Sequence, residues 1–253
     1  MTYILITRPL TASQQLAGQL DDLGMNPIIM PFYTFTERDP GFDLDAHWSG
    51  KGRKLAVFTS PRAVEYGLPH IASATADMLE IAVVGAATRR ALEKSGRQVH
   101  IQASSGYTSE DLLELPELAE QPGEAVIYCA PGGRDTIAEG LAGLGWSVTK
   151  ALIYERVSLS PSHAQLEELD SATELISVWT SVAAIDLAAQ SLPAILWQKI
   201  LASPIVVISA RIQQHFQTLG ATRTELTEGP GNPDIFEAII DLTSEPTGNL
   251  KNI

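Results

Sequence analysis

"FTSPRAV", residues 58–64, and "WTSVAAI", residues 179–185, are the stretches whose reading decides the fold. Each closes an apolar run ("LAVFT", 55–59; "LISVWT", 175–180) with a Thr-Ser pair and opens a stretch of different spacing. They lie 121 residues apart, and at the same offset Leu16, Leu20, Gly24 and Tyr33 fall on Ile137, Leu141, Gly145 and Tyr154. A small gap changes the offset to 124, after which "VVGAATRRALEKSG" (83–96) falls on "VISARIQQHFQTLG" (207–220). "GYTSEDL" (106–112) and "PGNPDIF" (230–236) share a polar turn followed by an acid and then an apolar residue. A near-constant offset over five elements indicates an internal duplication rather than the general likeness of α/β stretches.

Further β-branched runs complete the pattern: "YILIT" (3–7), "PIIMP" (27–31), "IAVVG" (81–85), "VHIQA" (99–103), "AVIYC" (125–129), "SVTKALIYERV" (147–157), "IVVIS" (205–209) and "TRTEL" (222–226). Helically spaced stretches lie between most of them and end on Gly24, Gly96, Gly145 and Gly220, residues able to close a helix in the left-handed conformation. Strand, helix, glycine, strand is the order of βαβ units and predicts parallel sheets. The expected fold class is therefore α/β, two similar flavodoxin-like parallel-sheet domains arising by duplication. Residues 38–53 carry turn formers, apart from a short helix expected near Leu44 to Trp48, and the tail 244–253 is expected to be disordered.

With 45% apolar but only 6% aromatic residues, each domain can bury a core resting on Val, Ile, Leu and Ala. Cys129 is the sole cysteine, so no internal disulfide is possible. "MTYILITRPL" does not read as a signal peptide and no apolar stretch approaches 18 residues, so the expectation is a cytoplasmic protein with no membrane partner. A net charge of −13 argues against nucleic acid as a partner. It also requires that any anionic ligand meet a local concentration of cations.

In open parallel sheets, ligands bind beyond the carboxyl ends of the strands. The residues there are Thr7-Arg8-Pro9, Thr59-Ser60-Pro61-Arg62, Gly85 to Arg89 with Thr88 between, Pro131-Gly132-Gly133-Arg134, Thr180-Ser181 and Ser209-Ala210-Arg211. Hydroxyls and glycines at helix starts expose backbone N–H groups to anions. Five of the six ends also carry an arginine (Arg8, Arg62, Arg89, Arg134, Arg211), where the helix dipole disfavours a cation, so carboxylate or phosphate recognition accounts for the pattern better than stability does. Ser60 and Ser181 also suit helix N-caps, each accepting an N–H bond two or three residues on. Tyr154 and its counterpart Tyr33 can be half-buried strand tyrosines or phenols at a site; the pattern leaves both open. His47, His70, His100, His163 and His215 show no metal spacing, and "GLAGLG" (140–145) ends a helix rather than opening one, so neither metal nor cofactor is expected. Cys129 closes an apolar strand and reads as core.

"ILITRP", "FTSPRAVEYGL", "VVGAATRRALEKSG", "PGGRDTIAEGLAGLGWSVTKALIYERV" and "VVISARIQQHFQTLGA", in that order, resemble the uroporphyrinogen-III synthase family over nearly the whole chain, from residue 3 to about 241. The resemblance implies two α/β lobes joined by a two-stranded β ladder, with a site in the cleft between them. It assigns about 1–34 and 158–253 to one discontinuous domain, 38–153 to an inserted one, and 32–37 with 154–159 to the ladder. It further implies cyclisation of linear hydroxymethylbilane with loss of water and inversion of the terminal ring, no cofactor, and Tyr154 as the group that helps the hydroxyl leave. Thr59, Ser60, Gly85, Gly132, Gly133, Thr180, Ser181 and the arginines would grip carboxylates. "SARIQQ" departs from a Thr-rich run of several members, at Ser209. A monomer supplied through transient contact with the upstream deaminase is the expected setting. The alternative is a non-catalytic two-lobed sensor of a tetrapyrrole or another polyanion, although no segment here resembles an output domain.

Overall fold

The computed structural model describes residues 1–48, 52–72, 75, 77–103 and 108–244 of the chain. The apolar runs form β1 (Thr2–Ile6), β2 (Asn26–Ile29), β3 (Tyr33–Glu37), β4 (Lys54–Phe58), β5 (Glu80–Val83), β6 (Ile101–Gln102), β7 (Glu124–Cys129), β8 (Ser147–Leu152), β9 (Tyr154–Ser158), β10 (Glu174–Trp179), β11 (Ile205–Val207) and β12 (Thr224–Leu226). Ten of them make two parallel five-stranded sheets, ordered β12-β11-β10-β1-β2 and β6-β5-β4-β7-β8. The short helix expected after residue 43 is Leu44–His47. Ser244 ends the last helix, Asn232–Ser244, and the rest of the expected tail lies outside the described residues, as do Gly106 and Tyr107. Among the described residues no helix is long and apolar enough to cross a membrane.

Every residue of β4 is buried, because helices cover both faces of its sheet. Side chains alternate across a strand. Ala56 and Phe58 therefore pack with Val64 and Tyr128 on one face, while Leu55 and Val57 pack with Leu118 and Trp146 on the other.

The chain divides into two compact units, Met1–Thr34 with Val157–Ile253, and Phe35–Arg156. By the sequence repeat, β1 and β2 correspond to β7 and β8, and β4, β5, β6 to β10, β11, β12. Each sheet thus combines the opening strand pair of one repeat with the last three strands of the other. The two sheets have the same spatial order but are entered at different strands. Numbered along the chain, the discontinuous unit reads 2-1-3-4-5, the flavodoxin order, and the continuous unit reads 3-2-1-4-5, the Rossmann order without its sixth strand.

The exchange follows from β3 and β9, which pair with each other in a separate two-stranded sheet instead of turning back. The run "SVTKALIYERV" is consequently two strands rather than one, divided at the fully buried Ile153. The Ile153 N–H donates to the Cys129 carbonyl at 3.2 Å, continuing the parallel sheet, and its carbonyl accepts from the Arg38 N–H at 3.0 Å. The Phe32 carbonyl accepts from the Leu159 N–H at 2.9 Å in the same way. Phe32 and Ile153, like Arg38 and Leu159, are 121 residues apart, so the offset read from sequence recurs in the backbone bonds that flank the ladder. Each strand's end meets the other's beginning, which makes the ladder antiparallel.

Arg53 fastens one edge of the continuous unit. Its guanidinium grips Glu80 with two bonds of 2.7 and 2.6 Å, donates to the Glu117 and Glu120 carbonyls at 2.5 and 2.6 Å, and lies over the Trp146 ring at 5.2 Å. A lysine cannot reproduce that fork, so Arg53→Lys is expected to cost about 1–3 kcal/mol in urea unfolding. The hydrogen bond from Arg53 holds the Glu80 carboxyl below its usual range. The stability it adds is present above the unfolded carboxylate range and lost as pH falls through the folded value. Glu80→Gln should flatten that acid limb of a stability-versus-pH curve.

Candidate functional site

The strand order of the continuous unit reverses between β4 and β7, and such a switch point opens a crevice at the carboxyl ends of the strands. A cavity of about 670 Å³ lies there, within the range of small-molecule pockets. Thr59 lines it from the end of β4, where its hydroxyl donates to the Tyr128 carbonyl of β7 at 3.2 Å. The turn after β7 supplies Gly132, at φ +75°, which keeps the backbone of Gly132, Gly133 and Arg134 against the cavity in a conformation that side-chain-bearing residues rarely adopt.

Tyr154, the first residue of β9, also lines the cavity and is only 7% exposed. Its ring stacks on Tyr66 at 5.6 Å and meets Phe35 edge-on at 5.7 Å. The Tyr66 hydroxyl donates to the Phe35 carbonyl at 3.0 Å, so the three rings brace one another. The Tyr154 hydroxyl sits 3.0 Å from Ser60 Oγ. Ser60 stands where it does because Pro61 follows: a residue before proline is held extended, and proline suits the first position of the helix Pro61–Gly67. The Ser60 oxygen accepts the Ala63 N–H at 3.0 Å, the cap expected from sequence.

Four cations line or flank this space. Lys150 on β8 pairs with Asp135 at 2.5 Å, which raises its pKa. Arg134 lies 3.6 Å from Glu110, both side chains largely exposed. Arg156 and Arg62 stand over the Phe35 ring at 5.9 and 5.3 Å. Cys129 also lines the cavity, and burial pushes its thiol up.

The structure thus gathers Thr59, Ser60, Gly132, Gly133, Arg134 and Tyr154 around one cavity or its immediate wall. Gly85 caps the helix Ala86–Lys94 in the same unit, with open space where a side chain would be. Thr88 is buried, its N–H spent on the Gly85 carbonyl. The strand-end arginines are less available than their positions suggest. Arg62 pairs with Glu65, and Arg89 with Glu93 at 2.8 Å and Gln102 at 3.0 Å. Arg8, in the discontinuous unit, donates to Asn232 and to the Pro230 carbonyl, and burial lowers its pKa. Thr180, Ser181, Ser209 and Arg211 belong to that unit as well. Ser209 accepts the Ile212 N–H at 3.4 Å. Ser181, expected to cap likewise, stands at the N-cap of Val182–Ser191 in extended conformation but makes no side-chain cap bond.

Lys150, Arg156 and Tyr66 lie away from the strand ends and so were not among the expected site residues. Lys150 was marked as the one charged residue of β8, "SVTKAL". Arg156 was marked by its spacing of two from Tyr154, the spacing that returns a side chain to the same face.

Residues 14–236 match the family model described as "Uroporphyrinogen-III synthase HemD". A curated uroporphyrinogen-III synthase from Escherichia coli (strain K12) is 27% identical over 161 residues, 62% of this chain and 65% of that protein, so the match spans somewhat under two thirds of the relative. Among solved structures, uroporphyrinogen-III synthetase from Helicobacter pylori 26695 aligns with TM-score 0.64 at 15% identity, over 96% of this chain and 100% of that one. A mutant uroporphyrinogen III synthase from the extremely thermophilic bacterium Thermus thermophilus aligns with TM-score 0.61 at 16% identity, over 97% and 100%. At such identities the structures speak for the fold.

Because the Cys129 thiol is buried and its ionisation suppressed, alkylation by iodoacetamide at pH 7 should run at least about tenfold slower in the folded protein than in urea. Equal rates would show that the cavity wall opens freely.

Proposed function

The chain belongs to the uroporphyrinogen-III synthase family, and from that membership we propose that it cyclises hydroxymethylbilane to uroporphyrinogen III with inversion of the terminal pyrrole and release of water. The family match over residues 14–236 carries this reading, and the cavity at the β4–β7 switch point is consistent with it.

The work asked of the protein is conformational. Hydroxymethylbilane closes unaided to the symmetric isomer, so the site must hold a flexible octacarboxylate in the geometry where the substituted carbon of the last ring is attacked. Lys150, Arg134 and the N–H groups of the Gly132–Gly133 turn are the groups positioned to take carboxylates. The pair between Arg134 and Glu110 is exposed and worth at most about 1 kcal/mol, so a substrate carboxylate can replace Glu110 at little cost. Charge-assisted contacts of about 1.5–3 kcal/mol each offset the ordering of the bilane. Tyr154 donates its phenolic proton to the departing hydroxyl. The resulting azafulvene cation is attacked, a spiro intermediate forms and fragments, and ring closure releases the proton that restores the phenol.

We read the protein as a cytoplasmic monomer that acts without metal or cofactor. Transient contact with the deaminase that makes the bilane fits a substrate that otherwise cyclises to the wrong isomer.

The test is to supply freshly generated hydroxymethylbilane, oxidise the product and separate the porphyrin isomers. Isomer III in excess is expected; isomer I alone, at the uncatalysed rate, would overturn the reading. Tyr154→Phe should lower kcat about a hundredfold while leaving product affinity nearly intact. Raising ionic strength should raise KM, as cations that grip carboxylates are screened.

A further inference from the structure

Ser60 has two attachments, and its role as a helix cap accounts for one of them. Its oxygen accepts the Ala63 N–H at 3.0 Å and also lies 3.0 Å from the Tyr154 hydroxyl. A serine hydroxyl has one proton and two lone pairs. With one lone pair engaged by the helix, its proton is free to point at the phenol oxygen. The phenol cannot swing away, because Tyr154 is buried between the stacked Tyr66 ring and the edge of Phe35. The backbone leading to the cap is fixed independently, since Ser60 is extended at φ −160° and ψ 163° ahead of Pro61.

We propose that Ser60 is a positioning residue for the reaction, donating its hydroxyl proton to the Tyr154 oxygen so that the phenol's own proton faces the substrate. The proposal rests on the synthase reading and on Tyr154 as the proton donor. As the C–O bond of the hydroxymethyl group breaks, its electron pair stays on oxygen, which takes the Tyr154 proton and leaves as water. The negative charge left on the phenol oxygen is met by the Ser60 O–H, itself anchored through the Ala63 N–H. When ring closure expels a proton from the attacking pyrrole carbon, the phenol recovers it and the bond to Ser60 returns to its resting form. Tyr66 contributes as the platform on which the phenol lies.

The experiment compares wild type, Ser60→Gly, Ser60→Thr, Tyr154→Phe and the Ser60→Gly/Tyr154→Phe double variant. It measures kcat and KM for isomer III formation and the thermal midpoint of each. Glycine at a cap is a mild change, so Ser60→Gly removes the hydroxyl with little loss of fold. It is expected to lower kcat about tenfold with KM nearly unchanged. Ser60→Thr, which keeps the hydroxyl, should recover most of that loss. Ser60→Gly should have no further effect once Tyr154 is phenylalanine, because the bond it serves is already gone. A loss that multiplies undiminished in the double variant, a loss confined to KM, or a threonine variant as slow as glycine would overturn the role of Ser60 while leaving the synthase reading intact. A wild type yielding only isomer I would overturn the function, and the proposal with it.

Discussion

The pairing on which the structure depends is that of parallel strands far apart in sequence. β1 pairs with β10, Thr2 opposite Glu174, and neither sheet is complete without strands drawn from both repeats. The cause is local. After β2 and after β8 the chain does not enter a helix that returns it to its own sheet; it passes through Phe32 or Ile153 into β3 or β9, and those strands take each other as partners. A chain carried away by an extended strand must leave its first two strands to be completed by a later segment. Closing so long a loop is an entropic cost, growing slowly with length, and it is offset by strands whose side chains are buried on both faces.

That exchange decides where chemistry can occur. In the continuous unit the switch point falls between β4, from the first repeat, and β7, which opens the second. Thr59 and Ser60 therefore come from one repeat, and Gly132, Arg134, Lys150 and Tyr154 from the other. The bond between Ser60 and Tyr154 joins two residues 94 apart that the repeats bring together. At the repeat-equivalent positions stand Ser181 and Tyr33, but Val182 follows that serine where Pro61 follows Ser60, and the side-chain cap is absent.

Much of this architecture is written in short-range pattern, which is why it could be read. β-branched runs and closing glycines announce strands and helix ends, and the near-constant offset announces the repeat. The cap at Ser60 was legible because capping depends on a residue and its next three neighbours. Ser181 shows the limit: the same dipeptide occupies the cap position and makes no side-chain cap bond. The arginines show it again. Their positions at strand ends are visible, and Glu65 and Glu93 stand three and four residues after Arg62 and Arg89, at the spacing of helix pairs; Glu110, which pairs with Arg134, is brought there by the fold. In a chain of net charge −13, acidic neighbours are abundant, and a cation's position alone does not tell what it meets. The braced ring of Tyr154 depends on Phe35 and Tyr66, contacts that no spacing rule connects.

Everything chemical proposed for this site requires that the Tyr154 phenol face the bound tetrapyrrole. Full-length protein carrying ¹³Cζ-tyrosine, with the Tyr154 resonance assigned through Tyr154→Phe, can be titrated with uroporphyrin III as an octacarboxylate probe. The Tyr154 signal should move in step with saturable binding, while that of Tyr3, on β1 of the other unit, should not. Saturable binding that leaves the Tyr154 signal in place would contradict the role given to this residue.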